Sequence, residues 1–524
     1  MWQDYKTEMY AVTGSGLIDS IRNGKMYKDG QVVTNANYAS LVKLSSDSNA
    51  TKVSTRTRLL RNVYGENNLS ELKQFAYFGE FAVNYKELIF LNYTHRFEEA
   101  STLPKKNRKF NYPGGSISII VSDIIPQIKT GNVFNYFKLR GSIAGTARLN
   151  SPYSTQSVFV NSLSSGGGYS YGFFNNNPEL TPEKQTTFEI GTEMRFLKSR
   201  LNIDASYYNT HNNGQIIENF RLSYATGFVL NTQNAGTTRN RGLEIGIDAT
   251  LVKRPDISWN TRFNFNKMWN KVESMPKNVR LYYLADTNVY GAAAGGVVLG
   301  GPTTSISGLG YQRNNRGQIV INPTNGLPVV GIDQRILGNR LPDFTLGWIN
   351  TITYKKLRLS FLWDFKVGGD VYNGTNQYLT TIGRSKLTAD RETPRVIEGV
   401  LQDGLENTET PTRNTILVTP YYQDLYYRNL PEEAFVEKDV NWARLKDITL
   451  NYTFPSSLTK RVRALKSLGA FVTATDVVLF TNYSGADPGV NANTAGTRGV
   501  GTFGFDYGTL PAQLGINFGI RASF

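Results

Sequence analysis

Four tyrosines stand close together in one polar segment, Tyr421, Tyr422, Tyr426 and Tyr427, within YYQDLYY. A phenol ring offers an apolar face and a hydroxyl tip, so such a group can stack on a sugar ring or contact a peptide. The plainer alternative is packing within the segment or against a partner. Other candidate groups are thinner. Glu189 and Glu193 lie two turns of a strand period apart, and could pair with basic residues of whatever faces them; a hydrated wall is the alternative. The two histidines of the chain, His95 and His211, are too few for a His-rich metal centre and are expected as solvated residues at strand ends. With no Cys in 524 residues, disulfides and thiolate metal sites are excluded. Gly166-Gly167-Gly168-Tyr169 and Gly295-Gly296 are not followed by Gly-Lys-Ser/Thr, so flexible loops are expected rather than phosphate cradles. No nucleophile–base–acid set stands out, so neither catalysis nor a cofactor is expected.

The elements that must hold these groups show best in Ala512 to Phe524, AQLGINFGIRASF. Ala512, Leu514, Ile516, Phe518, Ile520, Ala522 and Phe524 are apolar, and the residues between them are polar or tiny. A period of two with one wholly apolar face is a β-strand between two solvents. In a soluble sandwich that face would be a core; in a membrane barrel it faces lipid.

The same alternation recurs. It begins at Phe75, Tyr77, Phe81 and Val83, which turn at Lys86-Glu87 into Leu88 to Phe97. Further strands are predicted at Gly115 to Asp123, Phe134 to Thr146, Thr186 to Phe196, from Leu201, Leu243 to Leu251, Ile257 to Asn266, Thr345 to Tyr354, Leu357 to Lys366, Trp442 to Phe454, Leu468 to Leu479 and at the C-terminal segment. That makes about thirteen over residues 73–524, which read as transmembrane strands with long outer loops. Residues 1–72 read as an extracellular loop region with room for one strand near Tyr5 to Val12.

Connections alternate in length. Short turns fall near residues 86, 198, 254 and 355, and long loops are expected at Glu98 to Gly114, Ala147 to Gln185, Asn212 to Asn240, Asn270 to Phe344, Lys366 to Asn441 and Thr481 to Pro511. Sorting by parity is the layout of an outer-membrane barrel. No run approaches the roughly 18–20 apolar residues of a membrane helix. Trp259, Trp269, Trp348, Trp363 and Tyr354 are expected to face lipid or its interface. The net charge of +15 is scattered, which suits a surface against anionic lipopolysaccharide better than nucleic acid.

Eight motifs then occur in order: Lys138-Leu139-Arg140-Gly141-Ser142, Asn177 to Glu183, Lys184 to Gly191, Asn240 to Glu244, Leu341 to Phe344, Phe365 to Asp370, Trp442 to Tyr452 and Thr481 to Pro488. Together they resemble the SusC/RagA-type TonB-dependent transporters of Bacteroidota, over roughly residues 73–524. Asp476-Val477-Val478 and Gly489 depart from the family pattern. The resemblance implies an all-β, antiparallel transmembrane barrel of 22 strands with a plug inside. It also implies a TonB box before the plug and a SusD-like lipoprotein over the outer mouth, with the transporter–lipoprotein pair able to dimerise. This chain would supply the last thirteen or so strands, with plug and TonB box on preceding sequence or another chain. The expected function is uptake of oligosaccharides or peptides through the bacterial outer membrane, with the four tyrosines touching substrate or lid. The alternatives are a non-transporting barrel scaffold in a surface or secretion assembly, and a soluble β-rich lectin or enzyme.

Overall fold

A computed structural model of the chain describes residues 2–9, 20–22, 25–28, 31–32, 68–129, 131, 133–157, 159–162, 168–171, 174–221, 230–277, 279, 281–286, 293–459, 465–490 and 503–524. Its frame is one antiparallel sheet of strands joined in sequence order. These are β1 (Trp2–Met9), β2 (Asn68–Tyr85), β3 (Ile89–Ala100), β4 (Lys109–Ile120), β5 (Phe134–Arg148), β6 (Glu183–Phe196) and β7 (Leu201–Arg221). Then follow β8 (Leu230–Lys253), β9 (Ile257–Ser274), β10 (Phe344–Tyr354), β11 (Leu357–Val367), β12 (Trp442–Thr453), β13 (Ser467–Thr481) and β14 (Gly515–Ser523). All thirteen predicted strands are present as β2 to β14. β1 adds one more, paired with β2 from Trp2↔Phe75 to Met9↔Asn68. No helix among the described residues is long and apolar enough to cross a membrane.

Register puts like with like. Ile516 lies opposite Ala474 and Phe518 opposite Val472; Val472 opposes Leu450, Leu450 opposes Leu359, and Leu359 opposes Ile352. Ile247 continues the row to Ile203 and Phe263, and Leu91 to Val83 and Ile117. The row is an apolar belt around one face of the whole sheet. On β14 its side chains are 65% (Ile516), 86% (Phe518) and 76% (Ile520) exposed, so they have no protein core to enter. Hydrocarbon is the solvent that removes this penalty, and a sheet that meets it must curve to hide its polar face.

The polar face carries its own charge pairs. Arg140 binds Asp204 through two bonds of 2.8 and 2.7 Å, with Glu189 at 3.8 Å. Arg195 meets Glu193 and Arg262 meets Asp248, each at 2.5 Å. So both glutamates have arginine neighbours from the wall itself. The Arg140 guanidinium lies across Gly191, where an added Cβ would sit 2.7 Å from Arg140 Nε. Tyr208 covers Gly242 in the same way, at 2.4 Å. Two of the motif glycines are therefore seats for side chains on the inner wall.

On one rim the turns are short. Lys86 and Glu87 both take positive φ, 50° and 58°, which matches the twist of a tight hairpin without any glycine. The other rim departs from expectation at two places. Glu98 to Gly114 and Asn212 to Asn240 are not mainly loop. β3 and β4 continue to Ala100 and from Lys109, and β7 and β8 rise to Arg221 and from Leu230. β8 has 24 residues, whereas about 9–11 cross a bilayer. Its apolar phase runs only from Leu251 to Leu243 and gives way outward to Arg241 and Arg239, so the rest stands above the membrane, paired with β7 up to Leu230 and with β9 as far as Thr237.

Candidate functional site

The last three long outer connections, between β9 and β10, β11 and β12, and β13 and β14, fold together over that rim. Ala293 and Ile306 from the first, Tyr372 and Phe435 from the second, and Phe505 from the third form one buried cluster. Val371, Val440, Tyr483 and Val490 form another. Gly295-Gly296 belongs here as well: it lies in a buried strand, where a Cβ on Gly296 would meet Ser307 Oγ at 2.5 Å. Gly166-Gly167 lies outside the described residues.

Charged groups fasten this cap. Arg340 is 2% exposed, with its guanidinium 4.6 Å from the Phe503 ring and 5.0 Å from Phe505. It donates to the carbonyls of Thr304 (3.0 Å) and Phe503 (2.8 Å), and burial pushes it down to about 10. Glu433 accepts from Arg313, Arg335 and the Tyr311 N–H, the last at 2.9 Å. Burial alone would raise its carboxyl; the Arg313, Tyr311 and Arg335 hydrogen bonds outweigh that and hold it below the usual carboxylate value. Burial likewise pushes the Tyr311 hydroxyl up to about 12, helped by nearby Glu433.

The recognised motifs meet where cap joins wall. Gly368 and Gly369 have φ of 74° and 85°, and Asp343 is close enough to Gly368 that a Cβ there would collide. Asp370 accepts from the Asn339 N–H at 2.8 Å and from Lys438 at 3.1 Å. Arg444 of β12 reaches Asp487 of the third loop at 2.5 Å, with side chains 9% and 8% exposed. Burial would raise Asp487, but bonds from Arg444 and from the Gly489 and Ala512 N–H groups keep it low. Beside this pair a cavity of about 350 Å³ opens onto the inner face.

The four predicted tyrosines fall in one segment of the cap's second loop. Tyr421 and Tyr422 are 61% and 82% exposed, edge-on to each other at 5.2 Å. Tyr426 and Tyr427 are half-buried and edge-on at 4.8 Å, with the Arg395 guanidinium 5.8 Å from the Tyr426 ring. Exposed Leu417 and Leu425 are near in sequence, and Tyr378 and Ile382 stand on the adjacent helix Gly374–Thr381 side. The segment presents an apolar outer surface rather than a pocket.

A larger cavity, about 480 Å³, was not anticipated. It lies on the inner face at the outer ends of β5 to β9, roofed by the first loop, and its wall includes Asn150, Glu183, Gln215 and Asn240. Only the amide richness of 209–215 and 231–240 hinted at it in sequence.

The histidines are not solvated strand ends. His95 sits within β3, accepting or donating with the Tyr93 hydroxyl at 2.8 Å and stacked on Phe97 at 4.3 Å. His211 is inside β7, 3.3 Å from Glu273. Trp348 stacks on Phe263 and Trp363 on Phe480, both on the apolar face. Among the described residues no cluster of three metal-ligating side chains occurs.

An apolar belt outside, a charged wall inside and a loop cap on one rim define a wall of an outer-membrane receptor barrel. Residues 20–373 match the family described as TonB dependent receptor-like, beta-barrel, and the chain belongs to it. It is similar to TonB-dependent receptor P3 of Formosa agariphila, 24% identical over 494 residues, covering 87% of this chain and 46% of that protein. It is also similar to TonB-dependent receptor SusC of Bacteroides thetaiotaomicron, 22% identical over 455 residues, covering 80% and 42%. The structure of the RagAB peptide transporter shares the fold, with a TM-score of 0.67 at 18% identity over 91% of this chain and 50% of that one. The resemblance read from the eight motifs is thus borne out. The chain spans about half the length of the curated relatives it matches.

Proposed function

We propose that this chain is the barrel wall and outer cap of a TonB-dependent importer of oligosaccharides or peptides. In this reading TonB acts through a plug held inside the wall, and no catalytic step is assigned to these residues. A SusD-like lipoprotein closes on the cap, with Tyr421, Tyr422, Tyr426 and Tyr427 on the surface it covers. Lipid and lipopolysaccharide meet the apolar belt and the basic rim. The observation that carries the reading is the two-faced sheet: its outward row is apolar from β2 to β14, while its inward row is paired charge and amide. A wall of that kind encloses a wet lumen in which substrate and plug can be held. The cap supports the lid, because it is packed firmly enough to act as a fixed docking surface and yet exposes Tyr422.

The test is disruption of the gene in its own host, with growth on single glycan and single peptide sources. Loss of growth on one class, reproduced by a TonB defect, supports import. Unchanged growth on every source, with the protein normally in the outer membrane, would leave a scaffold role as the reading. A photo-crosslinking residue at Tyr422 should capture a surface lipoprotein; capture of none removes the lid from the proposal.

A further inference from the structure

The cavity at the outer end of the inner wall has a chemistry distinct from the rest of the lumen. Below it the wall is laced with ion pairs. Among the described residues lining the cavity only Arg148 and Glu183 are charged. They stand 4.0 Å apart, and Glu183 already accepts the Ile216 N–H at 2.7 Å. Its remaining polar lining is amide and hydroxyl. The side chains of Gln215 and Asn240 make no hydrogen bond among the described residues, and Asn150 is 6% exposed with an Oδ1 that has no partner. That amide is held in place by its nitrogen, which donates to the Thr102 carbonyl at 2.9 Å and the Ser151 carbonyl at 3.1 Å. Gln215 sits at a break in the β7–β8 register, which turns the strand locally.

Resting on the import reading, we propose that this cavity binds a short run of a neutral oligosaccharide. The side-chain amides of Gln215 and Asn240 can both donate and accept, as vicinal hydroxyls require. The apolar part of the wall, such as Val272, gives the C–H faces of a sugar ring something to lie against. A nutrient peptide brings an ammonium and a carboxylate, which need countercharges when they lose water. Here the two charges of the described lining face each other. The volume of about 480 Å³ lies within the range of small-ligand pockets.

The test uses the full-length protein purified in detergent. Calorimetry is run with maltohexaose, laminarihexaose and xylohexaose, and with hexaglycine as the peptide probe. The expected result is binding of one hexasaccharide, weakened about tenfold or more by Gln215→Ala together with Asn240→Ala, each losing roughly one net hydrogen bond. Asn264→Ala, lower on the same wall, should leave it unchanged. If the double variant loses the heat-modifiable gel band of a folded barrel, Gln215→Ala alone is read in its place. Binding of no hexasaccharide overturns the proposal. So does binding that ignores the variants, or hexaglycine binding that they weaken. Saccharide binding with the expected variant response, but without TonB-dependent uptake, would instead fail the import reading and leave the site standing.

Discussion

Ile516 and Asn517 are neighbours with opposite fates. Ile516 is 65% exposed on the apolar phase, whereas Asn517 pairs with Thr473 on the inner phase. Ile516→Asp should therefore impair barrel assembly in membranes, at a cost below the roughly 2–4 kcal/mol of a basic residue at mid-bilayer. Asn517→Asp should assemble normally. Heat-modifiable migration of outer-membrane fractions checks both, and equal tolerance would reverse the assigned faces. In the cap, Glu433 has a depressed folded-state value, so its contribution is present above the ordinary carboxylate value, 4.5, and is lost as pH falls below it through the folded value. Protection against hydrogen exchange of the Tyr311 amide, which donates to Glu433, corrected for intrinsic rate, should be flat from pH 7 to 5 and drop below about pH 4.5. Glu433→Gln should show the lower protection already at pH 7. Single residues were legible in sequence where only one solvent decided them, as at Ile516. Glu433 was not, because its arginines are about a hundred positions away.

Strands were legible to the extent that lipid wrote on them. β10 to β14 alternate cleanly, and their predicted bounds fall within about three residues of those observed, whereas β9 runs eight residues beyond its predicted end at Asn266. Above the bilayer both faces of a strand are wet, the alternation fades, and the upper parts of β7 and β8 read as loop although their backbones stay paired to Arg221 and Leu230. The cap was legible only as length and motif. Its packing depends on contacts such as Arg444–Asp487, in which two motifs 43 positions apart turn out to be one junction. Removing one partner of so buried a pair strands the other charge, so Arg444→Ala should destabilise the cap junction by about 3–5 kcal/mol. Arg444→Ala with Asp487→Ala should cost less than the sum of the two single changes. Thermal unfolding of the four proteins in detergent gives the coupling, and strict additivity would mean the pair does not hold the third loop to the wall.

At the scale of the molecule the question is how the sheet closes. β14 pairs with β13 and β1 with β2, and among the described residues β1 and β14 do not pair with each other. An open edge leaves a row of N–H and C=O groups without partners, which hydrocarbon does not tolerate. Fourteen strands could in principle close on themselves, since an even count brings the two edges together antiparallel. They could also be one side of a wider wall, as the resemblance to a 22-stranded barrel implies, and a lumen able to hold a plug needs the wider circle. The absence of any native cysteine makes the choice measurable. In the full-length protein in membranes, a cysteine pair at Thr473 and Asn517, which face each other across β13 and β14, should oxidise to a disulfide. On the importer reading, in which further strands stand between those edges, a scan pairing single cysteines across Trp2–Met9 with single cysteines across Gly515–Ser523 should yield none. A disulfide in that scan would shut the cylinder at fourteen strands, leave the inner charges facing one another across a narrow lumen, and take the room for a plug away from the importer.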